Sequence, residues 1–382
     1  MPFCTTDPFM ERARLVAAHL DGTYSVAELA ARFGVSRPTV YKWIARYREG
    51  GAEALGDRPS VARTQPAQTA PEVEAMVVAC REAHPTWGPR KLLLYLAKRH
   101  PDAPLPAPST AGAILARHGL TKRRRPRRPP KHPGSVPLEA GTPNAVWTAD
   151  YKGQFRMGDG ELCYPLTVCD AHSRYVLSCH GLPSVEQYAA LRHFDRLFRE
   201  YGLPEAIRSD NGTPFATQAI CGLSRLSVWW IKLGVDHQRI APGRPQQNGA
   251  HERMHKTLKA ECARPPKRDM AAQQTRFDHW RAEFNADRPH DALAGRVPAD
   301  LYTPSPRPMP DVLPEPEYPG HYEVRYVSRD GAIRLKKHQV FVSQAIGHEH
   351  VGLDEVEDGV WSVYFYDRLL ARLDERTWKL TA

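Results

Sequence analysis

The chain has 382 residues, with 53 Lys plus Arg against 43 Asp plus Glu and a formal net charge of +10; this length predicts two to four modules, and the basic balance points to a polyanionic partner, nucleic acid first. Seven cysteines, at 4, 80, 163, 169, 179, 221 and 262, form no Cys-x-x-Cys pair and no even-numbered disulfide framework, so they read as reduced, mostly buried thiols. No apolar run reaches the roughly 18 residues of a membrane span and the first residues lack the order of a signal peptide, so no membrane partner is expected and the location reads as cytoplasmic.

From residue 12 to 47 apolar positions recur at helical spacing: Leu15, Val16 and Leu20, then Val26, Leu29, Ala30 and Phe33, then Val40, Trp43, Ile44 and Tyr47. Three short helices are predicted. Gly34 suits a left-handed turn and Ser36 suits an N-cap, which makes the last two helices a helix-turn-helix. In that motif the early residues of the second helix face base edges or phosphates; here Ser36, Arg37, Thr39, Tyr41 and Lys42 are the candidate DNA contacts. An ordinary three-helix bundle with a basic face is the plainer alternative.

Residues 71–120 carry a second helical pattern, with Val73, Val77 and Cys80, then Leu92, Leu93 and Leu96, then Ile114, Leu115 and Leu120. We expect a second helix-turn-helix-like module. Residues 122–131 then place seven positive charges in ten positions, too dense for a core and suited to phosphates. Arg123, Arg124, Arg125, Arg127 and Arg128 are therefore candidate DNA contacts, although a solvated tether fits the same composition.

From residue 144 short apolar strands appear, at 146–149, 164–169 and 175–178, followed by a helix with Tyr188, Leu191, Phe194, Leu197 and Phe198, and a strand at 206–208. The order predicts a mixed α/β domain. Asp150 and Asp210 each follow a strand; if those strands are neighbours, two like charges share one sheet edge and need a cation. Magnesium suits such carboxylates. Glu252 lies on a predicted helix whose apolar stripe is Met254, Leu258 and Cys262, with Glu252, His255, Lys256 and Lys259 on the opposite sector.

Four segments carry a resemblance: Trp147-Thr148-Ala149-Asp150, Ser209-Asp210-Asn211-Gly212, the run from Arg244 through Asn248-Gly249 to Glu252 and Lys259, and Phe284-Asn285-x-x-Arg288-Pro289-His290-x-x-Leu293. Together they resemble bacterial insertion-sequence transposases with a retroviral-integrase-type catalytic core. The resemblance implies a ribonuclease H-like core in which Asp150, Asp210 and Glu252 are the catalytic and metal-binding triad. Two Mg²⁺ or Mn²⁺ ions would assist in-line attack on a phosphodiester. The implied partners are double-stranded DNA, both element ends and target, and further copies of the chain on paired ends. Residues 211–251 make a longer spacing than many integrases have between the second and third carboxylates, and the surplus is expected at 220–230. The zinc-binding module of retroviral integrases is absent.

His251-Glu252-Arg253-Met254-His255 also spells the zinc metalloprotease signature, but that reading leaves Asp150, Asp210 and the helix-turn-helix without a role. A catalytically inactive DNA-binding regulator is the other alternative. Asp170 is expected to serve a turn or a salt bridge rather than a metal, His251 and His255 to pack the helix or meet DNA, and Asn248 to fix a loop or touch a DNA end. After residue 320 alternating strands predict a small SH3-like β barrel, with Arg325, Arg329, Arg334, Lys336, Lys337 and His338 along one edge. The expected organisation is a helix-turn-helix domain at 1–56, a second helical domain at 57–120, a basic linker at 121–140, the catalytic core at 141–304, a proline-rich linker at 305–319 and the barrel at 320–382.

Overall fold

The computed structural model describes residues 7–58, 68–121, 140–210, 212–217, 222–240 and 249–381. Residues 1–68 and 69–382 form two compact units. The first contains α1 (Pro8–Leu20), α2 (Val26–Arg32) and α3 (Arg37–Gly50). Asp7 accepts the Phe9 N–H at 3.0 Å to start α1, and a reciprocal Ser25–Glu28 box starts α2. Gly34 turns the chain at φ +64°, a conformation that costs a side chain. Leu15, Val16, Leu29, Val40, Trp43, Ile44 and Leu55 close the core. Two details differ from expectation. Ser36 occupies the N-cap of α3, but its hydroxyl pairs with that of Thr39 at 2.9 Å and caps no backbone group. Leu20, in the last turn of α1, is exposed.

The second unit opens with α4 (Pro71–Ala83), α5 (Pro89–Arg99) and α6 (Pro108–Arg117). Each begins with proline in its first turn, where the missing N–H costs nothing. Val77, Trp87, Leu92, Leu96 and Leu115 are buried between them.

A mixed sheet follows, built from β1 (Val146–Tyr151), β2 (Phe155–Arg156), β3 (Leu162–Asp170), β4 (Val176–Leu182), β5 (Ala206–Ser209) and β6 (Asp236–Arg239). Its main path runs β2-β3-β1-β5-β6, with β4 paired to β3. β1 is antiparallel to β3 and parallel to β5, and β5 is parallel to β6. Strand alternation divides the side chains between two layers. Trp147, Ala149, Leu166 and Val168 face α7 (Gln187–Tyr201) and α8 (Arg225–Lys232), where Phe194, Phe198 and Trp230 are fully buried. On the other side Cys169, Val176 and Cys179 meet Met254 and Leu258 of α9 (Gly249–Cys262) and Phe277 and Trp280 of α10 (Met270–Ala286). This is the expected ribonuclease H-like arrangement, an α/β/α sandwich around a mixed sheet.

The surplus segment contains α8, which is apolar on two sides. Leu226 and Trp230 enter the sheet core, whereas Val228 and Ile231 join Leu223 in the core of the C-terminal region. That region consists of β7 (Glu323–Tyr326), β8 (Ala332–Leu335), β9 (His338–Phe341), β10 (His350–Glu357), β11 (Val360–Phe365), β12 (Arg368–Asp374) and β13 (Lys379–Thr381). They form an antiparallel sheet, β13-β12-β11-β10-β7, with β8 and β9 as a separate hairpin. The proline-rich segment is not wholly a tether, because Arg307 donates to the carbonyls of Pro204, Leu233 and Gly234 at 2.9–3.1 Å. Met309 packs against the sheet core. Among the described residues no helix is long and apolar enough to cross a membrane, and Cys80, Cys163, Cys169, Cys179 and Cys262 are free and buried.

Candidate active site

The parallel register of β1 and β5 sets Ala149 opposite Ser209, so the next residues, Asp150 and Asp210, stand beside one another at the carboxy-terminal edge. Asp210 directly follows β5, whereas β1 continues to Tyr151; Asp150 thus lies one residue inside its strand rather than ending it. Glu252 is in the first turn of α9 and exposed. The three carboxylates interact. Burial first, then the charge of Asp210 and, more weakly, that of Glu252 push the Asp150 carboxyl up to about 7, against the opposing pull of Lys152 and a backbone hydrogen bond. Carboxylates that couple in this way are the oxygen donors that hard divalent cations prefer, although the atoms that lie within 4.8 Å of one another belong to Asp150, His251 and His255 rather than to the three acids.

Below Asp150 lies a buried polar cluster. Strand alternation places Thr148 on the same face as Asp150, and Thr167 is opposite Asp150 on β3. The Thr167 hydroxyl donates to the Asp150 carbonyl at 3.0 Å, leaving its two lone pairs for Nε2 of His251 and Nε2 of His255, each at 2.7 Å. Nδ1 of His251 meets the Thr148 hydroxyl at 2.8 Å. Burial drives His251 down to about 3 and His255 to about 2, so both are neutral. With the Thr167 proton on the Asp150 carbonyl, hydrogen-bond counting assigns the proton of each ring to Nε2, and the Thr148 hydroxyl, which also lies 3.3 Å from the Cys169 carbonyl, then turns its proton to the nearer His251 Nδ1.

These contacts correct the predicted helix face. His255 does not share the solvent sector of Glu252, Lys256 and Lys259; it is 5% exposed and points with His251 toward the sheet. They also disfavour the metalloprotease reading. Both ring nitrogens of His251 are engaged by threonines, so the two histidines do not offer a matched pair of ligands with Glu252 between them.

Elsewhere, Arg37, Tyr41 and Lys42 are exposed on α3, with Ser36 and Thr39 at its start, while Trp43 turns inward beneath Arg12, Lys42 and Arg46. Arg123, Arg124, Arg125, Arg127, Arg128 and Asn248 lie outside the described residues. Asp170 serves a turn: it is fully buried and accepts the Asn144 N–H at 2.8 Å and the Ser173 N–H and hydroxyl at 2.7 and 2.6 Å. The basic edge of the C-terminal region is partly neutralised, since Lys336 pairs with Glu375 and Arg325 with Glu323. Sequence reasoning did not single out Thr148 and Thr167. The period-two relation of Thr148 to Asp150 was the available signal for the first; Thr167 needed the strand pairing.

The mixed sheet flanked by helices on both faces is the fold of an integrase core. Residues 140–245 and 233–298 each match an integrase core domain profile, residues 11–63 a helix-turn-helix domain and residues 39–115 a homeodomain-like domain. The central part of the chain thus matches integrase cores, and the chain is similar to proteins of bacterial insertion elements. It is 30% identical over 165 residues to the uncharacterized 31.7 kDa protein of insertion element IS407 from Burkholderia multivorans, covering 42% of this chain and 56% of that protein. It is 26% identical over 205 residues to the uncharacterized 39.2 kDa protein of insertion element IS476 from Xanthomonas euvesicatoria, covering 53% and 57%. The chain thus spans little more than half the length of these relatives. A chain of a simian T-cell lymphotropic virus intasome in complex with PP2A regulatory subunit B56 gamma is a looser likeness, with a TM-score of 0.39 and 17% identity over 77% of this chain and 97% of that one.

Proposed function

We propose that the protein cleaves and joins DNA strands at the ends of an insertion sequence, with Asp150, Asp210 and Glu252 as its catalytic, metal-holding residues. The observation that carries this reading is the parallel β1–β5 register, which sets Asp150 and Asp210 side by side, with Glu252 near enough to raise the Asp150 carboxyl. Two Mg²⁺ or Mn²⁺ ions bound there would supply Lewis acidity toward a phosphodiester and toward an attacking water or 3′-hydroxyl.

The chain's own residues prepare that chemistry. The sheet fixes two carboxylates and α9 brings the third. Lys256 and Lys259, exposed on the Glu252 side of α9, grip substrate phosphates. Ser36, Arg37, Thr39, Tyr41 and Lys42 read or hold the element end, and Arg123, Arg124, Arg125, Arg127, Arg128 and Asn248 add DNA contacts. In this scheme residues 1–56 and 57–120 recognise double-stranded ends, residues 141–304 act on them and on target DNA, and pairing two ends requires at least two copies of the chain.

The test is incubation of the native protein and Glu252→Gln with candidate end duplexes and Mg²⁺ or Mn²⁺, scoring end binding, nicking and strand transfer. Native protein is expected to do all three and the variant to bind only. Strand transfer by Glu252→Gln would overturn the assignment, and native protein that binds ends without nicking or joining them would be a DNA-binding regulator.

A further inference from the structure

We propose that His255 Nδ1 shares a divalent cation with Asp150 Oδ2, giving the centre a nitrogen ligand beside its carboxylates and a preference for Mn²⁺ over Mg²⁺. The proposal rests on the reading above that Asp150 holds a divalent ion. Its starting point is a hydrogen-bond count. Thr167 has one proton and two lone pairs; the proton goes to the Asp150 carbonyl, so both histidines donate to Thr167 from Nε2. A neutral imidazole protonated at Nε2 has a bare lone pair at Nδ1. On His251 that lone pair is satisfied by Thr148. On His255 it faces Asp150 Oδ2 at 3.6 Å.

Whichever of them carries a proton, the two atoms face one another across a gap too long for a hydrogen bond. It is close to the separation of two ligands on one ion: at metal–ligand distances of about 2.1 Å, neighbouring ligands lie roughly 3.0–3.4 Å apart, depending on geometry. Ligand atoms of Asp150, His251 and His255 lie within 4.8 Å of one another, and the hydrogen bonds remove His251 from that set. Thr167 holds the His255 ring through its far nitrogen, the arrangement by which metal-binding imidazoles are commonly oriented. It also ties the ring to the Asp150 backbone, so both ligands move together. An imidazole suits first-row transition metals, whereas Mg²⁺ favours oxygen ligands.

The experiment uses the full-length protein, MnCl₂ alone and pulsed EPR, with calorimetric titration of Mn²⁺ and Mg²⁺. Native protein is expected to show nitrogen modulation on bound Mn²⁺, which changes to the ¹⁵N pattern when histidine alone is ¹⁵N-labelled. His255→Gln is expected to lose that modulation and bind Mn²⁺ about tenfold or more weakly, with Mg²⁺ affinity little changed. Stoichiometric Mn²⁺ without histidine modulation in native protein overturns the His255 assignment and leaves the carboxylate site standing. Modulation retained in a folded His255→Gln overturns it equally, and failure to bind either ion overturns both readings. The labelled native protein answers the question even if the variant does not fold.

Discussion

Asn285 closes the open edge of the sheet at Val176: its side-chain oxygen accepts the Val176 N–H at 2.8 Å and its side-chain nitrogen donates to the Val176 carbonyl at 2.9 Å. Two more residues of α10 continue the seal. Gln274 accepts from Gly181 and donates to the Cys179 carbonyl, and Arg281 donates to that of Leu177. An uncovered strand edge invites pairing with another chain, and here helix side chains replace the missing strand.

Asn285→Ala leaves both Val176 groups buried without partners and should cost about 1–3 kcal/mol. Urea unfolding at constant m-value measures this. A loss below about 0.5 kcal/mol would mean that water or a shifted helix satisfies the strand equally well.

Glu261 and Arg288 form a buried pair at 2.9 Å with side chains 14% and 7% exposed. The Trp280 indole N–H adds a hydrogen bond to Glu261 at 2.7 Å. Removing one partner strands the other charge, so Arg288→Met should destabilise the second unit by about 3–5 kcal/mol. The double variant Glu261→Gln/Arg288→Met should recover part of that loss. Thermal melts of the single and double variants decide it; an additive double variant would show that the two residues act independently.

The pH dependence follows from Asp150. Its folded-state carboxyl is raised to about 7, so its stabilising contribution is complete below the unfolded value of about 4 and is lost as pH rises through 7. Integrated over that shift, the loss approaches about 4 kcal/mol in metal-free protein. The buried His193, His237, His251, His255 and His290 are all depressed and act oppositely, adding stability as pH rises toward their ordinary range. The quantity to measure is therefore the difference between native protein and Asp150→Asn from pH 4 to 7 in EDTA. That difference should shift progressively in favour of the variant, and Mn²⁺ should narrow it. A difference independent of pH would refute the raised carboxyl.

Arg37→Ala and Lys42→Ala should each weaken binding to an end duplex. If each removes one phosphate contact, the slope of log K against log salt should fall by about one unit per variant. An unchanged slope would assign these residues to base edges or to solvent.

Much of the site was legible because short-range chemistry specifies it. The apolar run ending at Asp150, the Ser209-Asp210 turn and the amphipathic pattern around Glu252 each reflect local geometry. The parallel β1–β5 pairing was legible only as a condition, since register is set by packing across the sheet. The inward turn of His255 was missed because polar residues were assigned to the solvent face, and Thr167, which gives the ring its hydrogen bond, is 88 positions away. β6, with the sequence Asp236-His237-Gln238-Arg239, carries no apolar alternation and is held as a strand by its pairing with β5. Asn285 and Arg288 were quoted as parts of a motif; their roles in sealing an edge and neutralising Glu261 required the tertiary structure.

Helix α9 carries Glu252 in its first turn and Glu261 in its last, nine residues and about 13–14 Å apart along the axis. At its far end Glu261 accepts hydrogen bonds from Arg288 and Trp280 and from Thr86, in the connection between α4 and α5. The helix is thus a stiff ruler with its zero mark outside the sheet. The placement of the third carboxylate is measured partly from the helical region that precedes the core, so a displacement of that region is felt at the tip that reaches the other two acids.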